Sequence, residues 1–119
     1  MAAGDLSTLL EICDPDIEIA EPREIPDSST FHGHEGVRGV LGKLHEVFPD
    51  MEFAPDQFIA NGDRVLVSMQ WLGTGANSGA SSQVTLFHVW GFEHELATRV
   101  QAFLDRRQAI EAAGLSDGL

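Results

Sequence analysis

The chain predicts an α+β fold in which a helix is laid into a curved, mostly antiparallel sheet, an arrangement that makes pockets. Three features of the 119 residues predict it. Residues 31–48 join a short extended segment to a helix with one apolar stripe, formed by Val37, Val40, Leu41, Leu44 and Phe48 at helical spacing. Pro49 ends that helix, and the residues beyond it read as long strands able to cover the stripe. The run 84–92 is apolar on both faces, which marks a central strand covered from two sides.

Taken in order, Asp5 can cap a short first helix whose Leu6, Leu9, Leu10 and Cys13 share a face, with Pro15 just past its end. Residues 16–21 then alternate as a strand, with Ile17, Ile19 and Glu21 on one face. Residues 22–30 form a loop before the central helix. Residues 51–60 and 64–75 read as a hairpin across Asn61-Gly62-Asp63, whose residue types tolerate left-handed backbone. On the second of these strands Val67, Met69 and Trp71 share a face and line a core or a cavity. A polar loop, 76–82, leads to the most apolar strand. There Val84, Leu86, His88, Trp90 and Phe92 face one way, and Thr85, Phe87, Val89 and Gly91 the other. After a turn near Glu93-His94-Glu95 comes the last strand, 96–104. Asp105 and Gln108 then resemble a capping box opening a closing helix that stops at Gly114.

Composition narrows the partners. A single domain over residues 1–119 is large enough to bury roughly two thirds of its unfolded surface. The formal net charge of −12, from 19 acidic and 7 basic side chains, disfavours nucleic acid and anionic lipid. Arg106-Arg107 is the only adjacent basic pair and reads as a solvated helix end. The lone Cys13 cannot form an internal disulfide and reads as a buried small hydrophobe. The start MAAGDLST has neither a basic segment nor an apolar run, and no window approaches a membrane span, so a cytoplasmic setting is the expectation.

The strings IEIAEP, FHGHEGVRG opening a helix, FHVWGF and FLDRRQAIEAAGL, in that order, resemble the SnoaL-like branch of the superfamily named for nuclear transport factor two. The resemblance covers nearly the whole chain. It implies a cone-shaped, strongly bent sheet wrapped around helices, an apolar cavity, a homodimer and no cofactor. By the resemblance to ketosteroid isomerase in the same superfamily, Glu21 falls where a carboxylate base lies and His88 where a donor to the enolate oxygen lies. The chain also departs from its relatives. It has no tyrosine, Ala102 stands near the aspartate position of SnoaL polyketide cyclases, and Glu95 replaces a turn glycine.

The residues can also be read on their own. Glu21 ends an apolar strand face, where desolvation would raise its pKa toward that of a general base; a strand-end glutamate reaching water is the competing reading. His88 interrupts an apolar run, where an imidazole needs a hydrogen bond, structural or to a ligand. His32, Gly33, His34 and Glu35 have a weak metal spacing, and the expectation is no metal, with His32 at a pocket rim instead. Arg38 could face Glu21, Glu35 or a ligand carboxylate, with a plain surface ion pair the favoured reading. Leu86, Trp90, Phe92 and Trp71 complete the expected hydrophobic substrate wall. The glycines 36, 39 and 42 recur on one side of the central helix, which suggests a close approach of backbone or ligand.

Two functions are compatible with these readings. One is a cofactor-independent isomerase or cyclase that removes a proton next to the carbonyl of a hydrophobic substrate. The other is a non-catalytic ligand-binding or dimerisation module. The apolar face with Phe87, Val89 and Phe103 predicts a homodimer formed through the sheet.

Overall fold

A computed structural model describes residues 3–25, 28–47, 49–74 and 81–115, without the side chains of 3–7, 47 and 82. Helix α1 spans Ala3–Ile12 and strand β1 Cys13–Ala20. Strand β2, Thr30–His32, leads directly into helix α2, Gly33–Val47. Strands β3 (Glu52–Asn61), β4 (Arg64–Thr74), β5 (Ser81–Glu93) and β6 (Leu96–Phe103) come next, and helix α3, Arg106–Ala112, closes the chain. The six strands form one sheet in the order β2-β1-β6-β5-β4-β3. Every pairing is antiparallel except β1 with β6. The sheet does not close on itself, since β2 and β3 stand at opposite ends of that order. Register shifts in β1–β6, β3–β4 and β5–β6 mark bulges, which bend strands and increase their twist.

Period-2 alternation gives β5 two apolar faces, and each is covered by a different helix. On one face Cys13, Ile17, Val37, Ala97 and Val100 form a buried cluster, joined by Leu9, Leu10, Leu41, Trp90 and Phe92 from α1, α2 and the strands. On the other, Leu66, Phe87 and Val89 pack with Ala109, Ile110 and Ala113 of the α3 segment, with Phe103 against them. The face expected to seek a second chain is therefore covered by this chain's own last helix.

Helix α3 is short and is held at both ends. The Asp105 carboxylate accepts from the backbone N–H of Arg107 at 2.8 Å and of Gln108 at 3.4 Å. At the other end Gly114, with φ of +73°, allows Gly114 N–H to reach Glu111 O and Leu115 N–H to reach Ile110 O, a Schellman closure. The β3–β4 hairpin satisfies further carbonyls there: Asn61 donates to Ala113 O at 2.8 Å and Arg64 to Ala112 O at 2.7 Å.

Several local expectations shift. Helix α1 begins at Ala3, so Asp5 lies inside it and does not precede it, and Cys13 opens β1 instead of closing the helix. Phe48 and most of the 76–82 loop lie outside the described residues. The close approach inferred from the glycines of α2 holds at Gly36, where a Cβ would stand 2.9 Å from the Phe31 carbonyl carbon. Gly42 faces open space. In the β5–β6 turn both His94 and Glu95 have positive φ, 51° and 69°, without a glycine to relieve it.

If α3 seals the outer sheet face, Ile110→Ala, at a site 1% exposed, should cost about 2–5 kcal/mol of stability. Urea unfolding measures it; a loss below ~1 kcal/mol would mean that the helix seals little.

Candidate functional site

The inner face of the sheet and α2 do not meet everywhere. Between them lies a recess of about 190 Å3, open to solvent. Helix α2 contributes Val37, Val40 and Leu41, three positions of its apolar stripe, and β1 contributes Ile17 and Ile19. From across the sheet come Phe53, Met69, His88, Trp90 and Val100, and Leu9 and Cys13 complete the lining. No carboxylate, ammonium, guanidinium, amide or hydroxyl side chain is among them. The polar capacity of the lining is one imidazole, one indole N–H and one thiol.

His88 projects from the centre of β5, between Val67 on β4 and Ala102 on β6. The Phe53 ring lies 6.3 Å away, centroid to centroid, tilted by 52°. The imidazole makes no hydrogen bond to a described residue, and the solvent exposure it keeps is toward the recess it lines. Burial alone pushes its pKa down from 6.5 to about 4, so near neutral pH it is uncharged, with one nitrogen donating and the other accepting. Burial likewise pushes the Cys13 thiol up, which keeps it protonated.

Glu21 comes after Ile19 on the same side of β1, just beyond the strand, and is not part of the lining. Its side chain is only 6% exposed, and Oε1 accepts from Lys43 Nζ at 2.9 Å. The same oxygen accepts from Ser29 N–H at 3.1 Å, while Glu21 N–H donates to Ser29 O at 3.1 Å. Lys43 also lies 5.9 Å from the Phe31 ring centroid. Glu21 thus ties the end of β1 to the adjoining loop and to α2. No described contact joins it to His88.

The other expected site residues divide. Trp90 lines the recess beside His88. Phe92 stacks on Trp90 at 6.5 Å, and Leu86 and Trp71 share the inner-face alternation of β5 and β4, but none of these three lines it. His32 and Arg38 lie at the surface, the first 4.0 Å from Glu18 and the second 3.3 Å from Glu35. His34 donates from Nε2 to Cys13 O at 2.9 Å, pinning the start of α2 to β1. His32, His34 and Glu35 therefore point to three different partners. Most of the remaining lining carried a signal in the apolar periodicities of β1 and α2. Phe53 carried none, because its strand is mostly exposed and shows no sustained apolar alternation.

The sequence profile of the SnoaL-like domain matches residues 1–100. The chain belongs to the SnoaL-like family. Among solved structures, an NTF2-like protein of unknown function from Burkholderia pseudomallei is 29% identical, with a TM-score of 0.74 over 91% of this chain and 84% of that one. TerC, co-crystallised with polyporic acid, is 26% identical, with a TM-score of 0.74 over 92% and 85%. A ketosteroid isomerase-like fold from Catenulispora acidiphila, in complex with trimethylamine, is 14% identical, with a TM-score of 0.73 over 93% and 83%, a likeness of fold alone. Among curated proteins none is significantly similar. No helix among the described residues of this SnoaL-like protein is long and apolar enough to cross a membrane.

The depressed His88 pKa fixes a pH dependence. The unfolded imidazole takes up a proton as pH falls through 6.5, the native one only near 4, so in that window the unfolded state binds more protons. Stability falls as pH drops through it, by at most on the order of 3 kcal/mol, and this term is flat above it. Urea unfolding at pH 7 and pH 4.5 should show this excess loss in the native protein and not in His88→Leu; parallel curves would refute it.

Proposed function

We propose that this SnoaL-like protein binds a hydrophobic small molecule in the recess, with His88 hydrogen-bonding the ligand's polar atom. The unspent imidazole carries the reading. The imidazole is half-buried and makes no hydrogen bond to a described residue, and its aliphatic and aromatic neighbours in the lining leave it without one. A ligand carbonyl accepting from the imidazole, or a hydroxyl donating to it, would supply that bond while the ligand's apolar body displaces water from the walls. His88→Leu preserves bulk and removes the hydrogen bond. It should weaken a bound ketone about 5-fold to 10-fold, the worth of one neutral hydrogen bond, and leave the matching hydrocarbon unaffected. Equal losses for both, measured by calorimetry, would reject the role of His88.

A second reading adds chemistry at the same place. Ile17 and Ile19 wall the recess, and the covered carboxylate of Glu21 lies next along that strand. In this reading a C–H bond next to the ligand carbonyl breaks, the proton passes to Glu21, and the electron pair moves to an enolate oxygen held by His88. Lys43 would have to yield part of its hold on Oε1. Glu21→Gln should then abolish deuterium exchange from solvent at that carbon in cyclic ketones. Exchange at an undiminished rate would leave a binding module without catalysis.

The homodimer belongs to the same reading on a narrower surface. Beyond α3 the outer face of β4 and β5 presents Gln70, Thr85 and Gln83, hydrogen-bonded to one another and exposed. Two copies paired there would scatter light as twice the chain mass at micromolar concentration. A single chain mass would rule the pairing out.

A further inference from the structure

We infer that the occupant of the recess is an electrically neutral compound of a single ring bearing one carbonyl or hydroxyl oxygen, and not a fused multi-ring skeleton. The inference rests on the binding reading above and narrows it by volume, by charge and by the number of polar contacts available.

Volume sets the size. An apolar cavity of about 150 Å3 accommodates benzene, whereas sites for drug-sized ligands begin near 300 Å3. The recess here, at about 190 Å3, stands just above the first mark and well below the second. Because it is open on one side, a larger skeleton could enter with one ring only. Its further rings would stay in water and gain no burial, so added rings bring little affinity.

The lining sets the charge. No ionic side chain faces the recess, so a carboxylate or ammonium ligand would lose its hydration without a counter-ion, a cost that far exceeds what apolar walls return. The imidazole of His88, neutral near pH 7, offers no compensating charge. The net charge of −12 opposes anions further. The basic side chains nearest this region do not alter the balance: Lys43 is held by Glu21, and Arg38 sits at the surface beside Glu35.

The polar groups set the functional group. His88 offers one donor and one acceptor at mid-wall, and the walls around it are hydrocarbon apart from the Trp90 indole and the Cys13 thiol. One oxygen on a hydrocarbon ring satisfies the imidazole, while a second polar group would have only the indole N–H or the weakly bonding thiol to meet it.

Cys13 supplies a native reporter, being the single cysteine of the chain and part of the lining. The full chain would be titrated with cyclohexanone, 1-decalone, a four-ring 3-ketosteroid, benzoate and benzylammonium. Two quantities would be read: affinity by calorimetry, and the rate at which Cys13 is modified by methyl methanethiosulfonate, a small neutral thiol reagent. Cyclohexanone should bind and abolish Cys13 modification at saturation, and neither 1-decalone nor the steroid should bind tighter than it. Benzoate and benzylammonium should bind at least about 10-fold more weakly than cyclohexanone. Tighter binding and full Cys13 protection by the steroid or by 1-decalone would overturn the one-ring limit and leave the binding reading intact. Equal binding by either ion would overturn the neutrality. Failure of every compound to bind or to protect Cys13 would overturn the binding reading itself, and this inference with it.

Discussion

Strand β5 has to bury both of its faces, and the rest of the structure is arranged around that requirement. Phe87 and Val89 on one side and His88 and Trp90 on the other cannot all be sheltered by neighbouring strands, which extend the sheet without covering it. Two covers are needed, and the chain supplies them from its two ends: α1 and α2 precede the long strands, and α3 comes after them. The covers differ in kind. Helix α3 presents small residues, Ala109 and Ala113, with Ile110 between them, and packs down until Ala109 is 0% exposed. Helix α2 is laid across the sheet with Gly36 against Phe31, and its stripe of larger side chains leaves the recess between itself and the strands.

The end of that helix cover is fixed by electrostatics. Glu21 at the end of β1 and Lys43 near the far end of α2 bridge 22 positions of sequence, and the carboxylate also takes a backbone N–H from the intervening loop. A carboxylate so covered from water is tolerable only because it is paired and hydrogen-bonded, and removal of either partner would leave an uncompensated charge. At the other end of α2 the His34 bond to Cys13 O performs the matching task with neutral groups. Between these two anchors the helix spans the recess without having to fill it. An open apolar space between rigid elements can therefore persist without the collapse that ordinarily closes it.

How much of this was legible in the sequence depended on whether the signal was local. The stripe of α2, the alternation of β1 and β5, the Asn61-Gly62-Asp63 turn and the Asp105 cap are each written within a few residues, and each appears in the fold, with β1 ending at Ala20, before Glu21, and β5 beginning at Ser81, inside the expected loop. What was not local was not legible. The apolar face of Phe87, Val89 and Phe103 demands a cover, but nothing in its own residues says whether that cover is a second chain or a helix that begins three positions later. Register had the same opacity. Glu21 and His88 lie on alternations that both point inward, yet whether two inward positions on strands separated by β6 come together depends on bulges and on the course of the chain past Ala20. Arg38 was readable as a surface ion pair, but its choice of Glu35 among the acidic partners is set by three-dimensional reach.

The energetic position of His88 connects fold to function. Replacing it by leucine or valine would suit both its strand and its neighbours, and the native protein forgoes that stability by keeping an imidazole whose charged form is strongly disfavoured there. Buried polar groups that serve structure are hydrogen-bonded by the protein around them, as His34 is by Cys13 O. His88 has the same chemistry and a comparable half-buried position, but no hydrogen-bond partner among the described residues. A group that disfavours the empty native state and has its polar capacity aimed into an open space is what a ligand-binding site requires, because the free energy withheld from folding becomes available to whatever satisfies it. That contrast between two histidines of one chain separates a structural residue from a functional candidate more sharply than the family resemblance does, since a shared fold does not fix function.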